Sequence, residues 1–263
     1  MTELNALSAV VFAHAAHDQI PEDVRFLYGN LTARKVTPWT VADQRLHVVV
    51  GPCAVGKSTL VKNSPYTDNN TVVIEPDMIR EELGLGDDVT LSGLTRAKDT
   101  TYYLINRAHA AGFNLTVVTL PYSSLPYDLV AAAPLSALPL TVDLVMAPLN
   151  VCIQSAIKRI DSDTQPDDIA AHICHSHKAM LDAILLLTKR VETINFLWRD
   201  SATTAPKVVG KFSGKDALEV LDAEGIRKYL AEFKLNDWLL EKLRQPYRNT
   251  PEPVASSLRI NLV

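Results

Sequence analysis

Residues 51 to 59 read GPCAVGKST, a glycine-bounded segment that closes on Gly56, Lys57, Ser58 and Thr59. This is the complete spacing GxxxxGK[ST], whose chemistry is capture of a polyphosphate. Backbone N–H groups of the loop and of the helix that follows point at phosphate oxygens, where a helix N-terminus favours negative charge. Gly51 and Gly56 allow backbone conformations that a β-carbon would hinder. Lys57 can reach β- and γ-phosphates, and the Ser58 hydroxyl can ligate Mg²⁺. The expected nucleotide-binding set is therefore Gly51, Pro52, Cys53, Ala54, Val55, Gly56, Lys57, Ser58 and Thr59.

A carboxylate and an arginine form a second group. Glu75, Pro76 and Asp77 follow the apolar run TVVI, and Arg80 stands one helical turn beyond Asp77 on the same face. A carboxylate at the carboxyl end of a parallel strand lies where ligands bind in open α/β sheets. A helix-capping aspartate would give the same pattern. Arg159, after Lys158, is a third candidate, either a cation for phosphate charge or a solvated helix-end residue. His172, Cys174, His175 and His177 are metal-ligand types, but the pairs His172/His175 and Cys174/His177 face different ways, and no metal set is assigned to them.

The elements that must position these residues are legible as an alternation. Apolar runs at 47–50, 71–74, 114–120, 141–146 and 193–198 read as strands. Between them, 57–63, a segment from Met78, 92–111 with Ser92 as N-cap, 149–160 and 167–190 read as helices, with a loop at 121–126. Five strands alternating with helices imply a mainly parallel sheet with helices on both faces. Residues 1–44 carry Leu4, Leu7, Val11, Ala15, Val24, Leu27 and Leu31 at helical spacing, a helical N-terminal cap. The core spans 45–205. Residues 206–263 read as a helical extension starting at Ser213, then a proline-rich tail from Gln245.

Composition narrows the class. A hydrophobic content of 47 % in 263 residues is enough for a buried core. The longest apolar runs are interrupted by Pro134, Pro139 and Asp143, and the N-terminus lacks the basic and apolar regions of a signal peptide. With three unpatterned cysteines, this leads to an expected cytoplasmic protein without membrane attachment. A net charge of −4 gives no global pull on nucleic acid, so a polyanionic substrate would need a local basic groove.

The phosphate loop, EPDMIREEL around Asp77, GFNLTVV, TVDLVMAP leading into SAIKRID, and NFLWRDS occur in one order over residues 45–205. Together they resemble the zeta-toxin and polynucleotide-kinase group of P-loop kinases. The resemblance implies the P-loop kinase fold, ATP and Mg²⁺ as cofactors, and a hydroxyl-bearing, nucleotide-type acceptor. It also implies that Asp77 is the base for the acceptor hydroxyl, with Lys57 and Arg159 catalytic and Arg159 at a lid. Asp77 and Arg80 reproduce the DxxR arrangement of polynucleotide kinases and would bind substrate together. An antitoxin protein is the partner implied by the zeta side, and nucleic acid the one implied by the other.

Two features depart from the pattern. The third strand ends in VVTLP, without the acidic residue of zeta toxins, and the segment DSDTQPDD after Arg159 and Ile160 is acidic where relatives add a second arginine. Three functions follow. The leading one is phosphorylation of a nucleotide sugar or similar small metabolite. The second is a nucleic-acid kinase for a 5′-hydroxyl end or a hydroxymethylated base. The third is a nucleotide-binding module without turnover.

Overall fold

The computed structural model describes residues 20–33, 35, 44–63, 68–85, 91–131, 138–158, 166–213 and 216–233. In chain order the elements are α1 (Glu22–Thr32), β1 (Leu46–Val50), α2 (Lys57–Lys62), β2 (Thr71–Ile74), α3 (Pro76–Glu82), α4 (Leu91–Ala110) and β3 (Asn114–Thr119). These are followed by α5 (Leu125–Ala131), β4 (Leu140–Met146), α6 (Leu149–Ile157), α7 (Pro166–Leu187), β5 (Thr193–Trp198), β6 (Lys207–Ser213), β7 (Asp216–Val220) and α8 (Ala223–Ala231).

One sheet organises the described residues, in the order β2-β3-β1-β4-β5-β6-β7. β1 is flanked by β3 and β4, both parallel to it, with Leu46 opposite Leu115 on one side and Leu140 on the other. Its sequence LHVVV is buried at every position, the continuous run expected of a strand covered on both faces. Side chains alternate between the faces. Leu46, Val48 and Val50 join Leu104, Ile105 and Ala108 of α4 and Met180 and Ile184 of α7 in one core layer, while Val49 joins Val61, Val145, Val151 and Cys152 in the other. This is an α/β fold, a mainly parallel sheet with a core layer on each face.

Low on the second face, polar residues replace the apolar pattern. Asp143 accepts a hydrogen bond from Asn195 Nδ2 at 2.7 Å, and its other oxygen lies 3.0 Å from His47 Nε2. The three residues stitch β1, β4 and β5 together inside the layer. At the N-terminal side, α1 buries Val24 and Leu27 and is tied to α4 by the ion pair Asp23–Arg96.

The structure corrects the reading in several places. The sheet has seven strands rather than five, because β6 and β7 add antiparallel strands beside β5. The helix expected from Ser213 begins instead at Ala223, capped by Asp222, whose Oδ1 accepts from the N–H groups of Glu224 (3.1 Å) and Gly225 (2.9 Å). β7 reads DALEV, residues content in a helix, but pairing with β6 outweighs so weak a preference. Ser92 lies inside α4 and is not its cap, and α5 occupies part of the loop expected at 121–126. Asp77 is likewise not a cap: Glu75 holds that position and Pro76 begins the helix. Residues 1–19, Arg159 with residues 160–165 after it, and the tail from Gln245 lie outside the described residues, whereas the last part of the acidic segment, 166–168, begins α7. No helix among the described residues is long and apolar enough to cross a membrane.

Candidate active site at the carboxyl ends of the strands

β1 leads directly into the loop Gly51–Gly56, and two glycines are required there for different reasons. A β-carbon on Gly51 would lie 2.7 Å from the Val145 carbonyl oxygen, so the close approach of β4 excludes a side chain. Gly56 adopts φ +99° as the residue before α2, a conformation that glycine reaches without strain. Ala54 also takes a left-handed φ of +58°.

Two contacts hold this loop from outside. The Cys53 N–H donates to Ser176 Oγ of α7 at 3.0 Å, and Ser176 Oγ in turn donates to the Ile173 carbonyl. Arg199, buried directly after β5, donates through Nε to the Thr204 carbonyl (2.9 Å), through Nη2 to Ala202 (2.6 Å) and through Nη1 to Ala54 (3.4 Å). A planar guanidinium thus joins the loop after β5 to the phosphate loop, using the fixed fork that lysine lacks. Trp198, beside it, is 2 % exposed and packs near Tyr229, so it is a core residue.

Lys57 Nζ donates to the carbonyls of Gly51 and Pro52, both at 2.8 Å, which sets the ammonium on the rim of the loop. Burial pushes the Lys57 pKa down, and the nearby Cys53, Asp77 and Glu75 act in the opposite direction. Ser58 Oγ donates to Glu75 Oε1 at 2.5 Å. β3 lies between β1 and β2, so Glu75 reaches the serine across the end of β3, where Thr119, Leu120 and Pro121 carry no charge. The acid absent from the third strand has a counterpart at the end of the second. A serine hydroxyl and a carboxylate on one spot are hard oxygen donors of the kind Mg²⁺ takes alongside phosphate oxygens, so these residues fit that ion.

Asp77 stands exposed two residues beyond Glu75, and Arg80 lies in the last turn of the same short helix. Asp77 acts electrostatically on Lys57, on His172 and on Tyr122, so the base candidate lies near the phosphate loop. The histidines of α7 divide. His172 and His175 meet Tyr122, whereas His177 Nε2 lies 3.1 Å from the Ala147 carbonyl and 3.4 Å from Glu232. Glu232 also accepts from the Leu149 N–H at 3.0 Å, which anchors the start of α6. Sequence reasoning assigned no role to Glu75, Tyr122 or Ser176. Only Glu75 carried a local signal, as an acid at a strand's carboxyl end.

The fold and the loop together define an α/β protein with the P-loop kinase fold. Among solved structures, the chain is similar to the AvrRxo1-ORF1:-ORF2 complex with ATP, at 11 % identity and TM-score 0.55, covering 82 % of this chain and 73 % of that one. The same complex with sulphate ions gives TM-score 0.53 at 11 % identity, with coverages of 82 % and 73 %. A structure of the PezAT chromosomal toxin-antitoxin system of Streptococcus pneumoniae is similar at 16 % identity and TM-score 0.48, covering 74 % of this chain and 83 % of that one. No family model matches the chain, and no curated protein matches it in sequence.

Proposed function

We propose that this protein is an ATP-dependent phosphotransferase that moves the γ-phosphate to a hydroxyl of a nucleotide sugar or related small metabolite. The observation that carries the reading is the 2.5 Å hydrogen bond from Ser58 to Glu75. It brings the end of β2, with Asp77 two residues on, against the loop that the motif assigns to phosphate. Phosphoryl transfer asks for alignment of acceptor and phosphate and for positive charge around the transferring group. Lys57 supplies a cation at the loop rim. Arg159, outside the described residues, is proposed as a second. Ser58 and Glu75 would hold Mg²⁺, which when bound neutralises phosphate charge. Asp77, exposed to an incoming acceptor, orients its hydroxyl and takes its proton. Arg80 holds an anionic part of the acceptor. The AvrRxo1 structures are complexes of two components, which supports a protein partner for this chain as well, the antitoxin type being what the sequence resemblance implies.

The test is transfer of label from γ-labelled ATP to separate pools of nucleotide sugars, nucleosides and 5′-hydroxyl oligonucleotides. Labelling of the nucleotide-sugar pool, reduced about 10²–10⁴-fold by Asp77→Asn with ATP binding retained, is the expected result. Arg80, one turn from Asp77, favours a second reading, a kinase of 5′-hydroxyl nucleic-acid ends. Under that reading a short oligonucleotide inhibits labelling of the nucleotide-sugar pool in wild type and not in Arg80→Ala. Each phosphate contact removed lowers the log–log salt slope by about one unit.

A further inference from the structure

Tyr122, in the turn after β3, meets α7. Its hydroxyl is 3.2 Å from His172 Nε2. Its ring stands edge-on to His172, with centroids 5.7 Å apart, and tilted against His175 at 5.0 Å. Two imidazoles therefore brace the ring, and yet Tyr122 is 40 % exposed. A large aromatic held by its neighbours and still open to solvent presents a fixed π surface.

The position of that surface relates it to the reacting groups. β3 runs between β1 and β2, so its carboxyl-end turn opens between the phosphate loop and Asp77. α7 is fastened to the same loop by Ser176, and His172 lies one helical turn before that serine. Charge effects agree with this placement. Burial holds the His172 pKa below its ordinary value, against the pull of Asp77, while His175 and Lys57 lower it further, so the imidazole is mostly neutral at pH 7. Burial likewise raises the Tyr122 phenol, which stays protonated. The wall is thus aromatic, while Arg80 on α3 is the cation suited to a phosphate. An aromatic face recognises a planar heterocycle by stacking, and does so for any base.

We propose that Tyr122, braced by His172 and His175, is the platform on which the heterocyclic base of the acceptor stacks, so that the substrate is a nucleoside-containing molecule. The proposal rests on the kinase reading above and names its acceptor class. Nucleotide sugars and nucleic-acid ends both carry such a base; a plain sugar or a sugar phosphate does not.

The experiment uses the full chain with Mg²⁺ and a saturating non-hydrolysable ATP analogue, whose own binding is measured first by calorimetry. Saturation-transfer NMR then follows uridine, cytidine, guanosine, adenosine and, as a sugar without a base, N-acetylglucosamine. Saturation of base protons of at least one nucleoside is expected. Tyr122→Ala should weaken that binding about 5- to 150-fold, and Tyr122→Phe, which keeps the ring, should retain it. Equal binding in wild type and Tyr122→Ala, binding of N-acetylglucosamine alone, or binding of none of the probes overturns the platform while analogue binding leaves the kinase reading standing. Failure of the analogue to bind overturns both.

Discussion

Lys57, Ser58 and Glu75 work at distances that make single-atom changes informative. Replacing Lys57 with alanine removes the cation at the loop rim, and we expect loss of nucleotide-dependent activity with weakened ATP binding, measured by calorimetry and by label transfer. Glu75→Gln keeps the size of the side chain and removes its charge from the Ser58 hydroxyl. The Mg²⁺ concentration giving half-maximal stabilisation in thermal melts should rise about 10- to 100-fold, the range typical of lost support around a metal. Unchanged Mg²⁺ dependence would leave Glu75 as a hydrogen-bond partner of the serine and nothing more. The motif, Asp77 and Arg80 were legible in the sequence because each is a local pattern with a fixed offset. The Ser58–Glu75 contact and the Tyr122–His172 contact were not, since each joins residues on different elements whose approach depends on the lateral order of the strands.

Arg199 and Asp222 show short segments controlling whole elements. Arg199→Lys loses the fork that spans the Thr204, Ala202 and Ala54 carbonyls, so the phosphate loop should hold nucleotide less well. A loss of about 1–3 kcal/mol is expected, read as 5- to 150-fold in ATP affinity, with the far-ultraviolet spectrum unchanged. Asp222 caps α8, and its carboxyl is held down to about 2, chiefly by the Gly225 N–H and then by Lys207. A depressed carboxyl stabilises the fold above its ordinary pKa and ceases to do so as pH falls toward 2. Asp222→Asn should therefore lower the thermal midpoint at neutral pH, and the gap from wild type should close between about pH 4 and pH 2. The five parallel strands were readable because their apolar runs are long and bounded by turns. β6 and β7 were not, because DALEV carries no strand signal of its own and becomes a strand only by pairing.

For the molecule as a whole, the last elements are part of the common core. Tyr229 of α8 is fully buried, edge-on to Phe196 of β5 with centroids 5.4 Å apart, and its hydroxyl donates to the Leu144 carbonyl of β4 at 3.3 Å. Tyr229→Ala should cost about 3–5 kcal/mol in chemical denaturation, and Tyr229→Phe about 1 kcal/mol, since it loses only the hydrogen bond. A chain ended at residue 205, the boundary expected from sequence, would leave β5 without its antiparallel neighbour and without Tyr229. Such a chain should unfold at a lower temperature than the full chain.

The place of β1 in the middle of the sheet also sets an order of events during synthesis. The strand that carries the phosphate loop leaves the ribosome before its two neighbours, β3 and β4, which are completed only at Thr119 and Met146. The outside tethers of the loop, Ser176 and Arg199, come later still. A nascent chain therefore carries the entire motif well before the segments that hold its loop in place have been made.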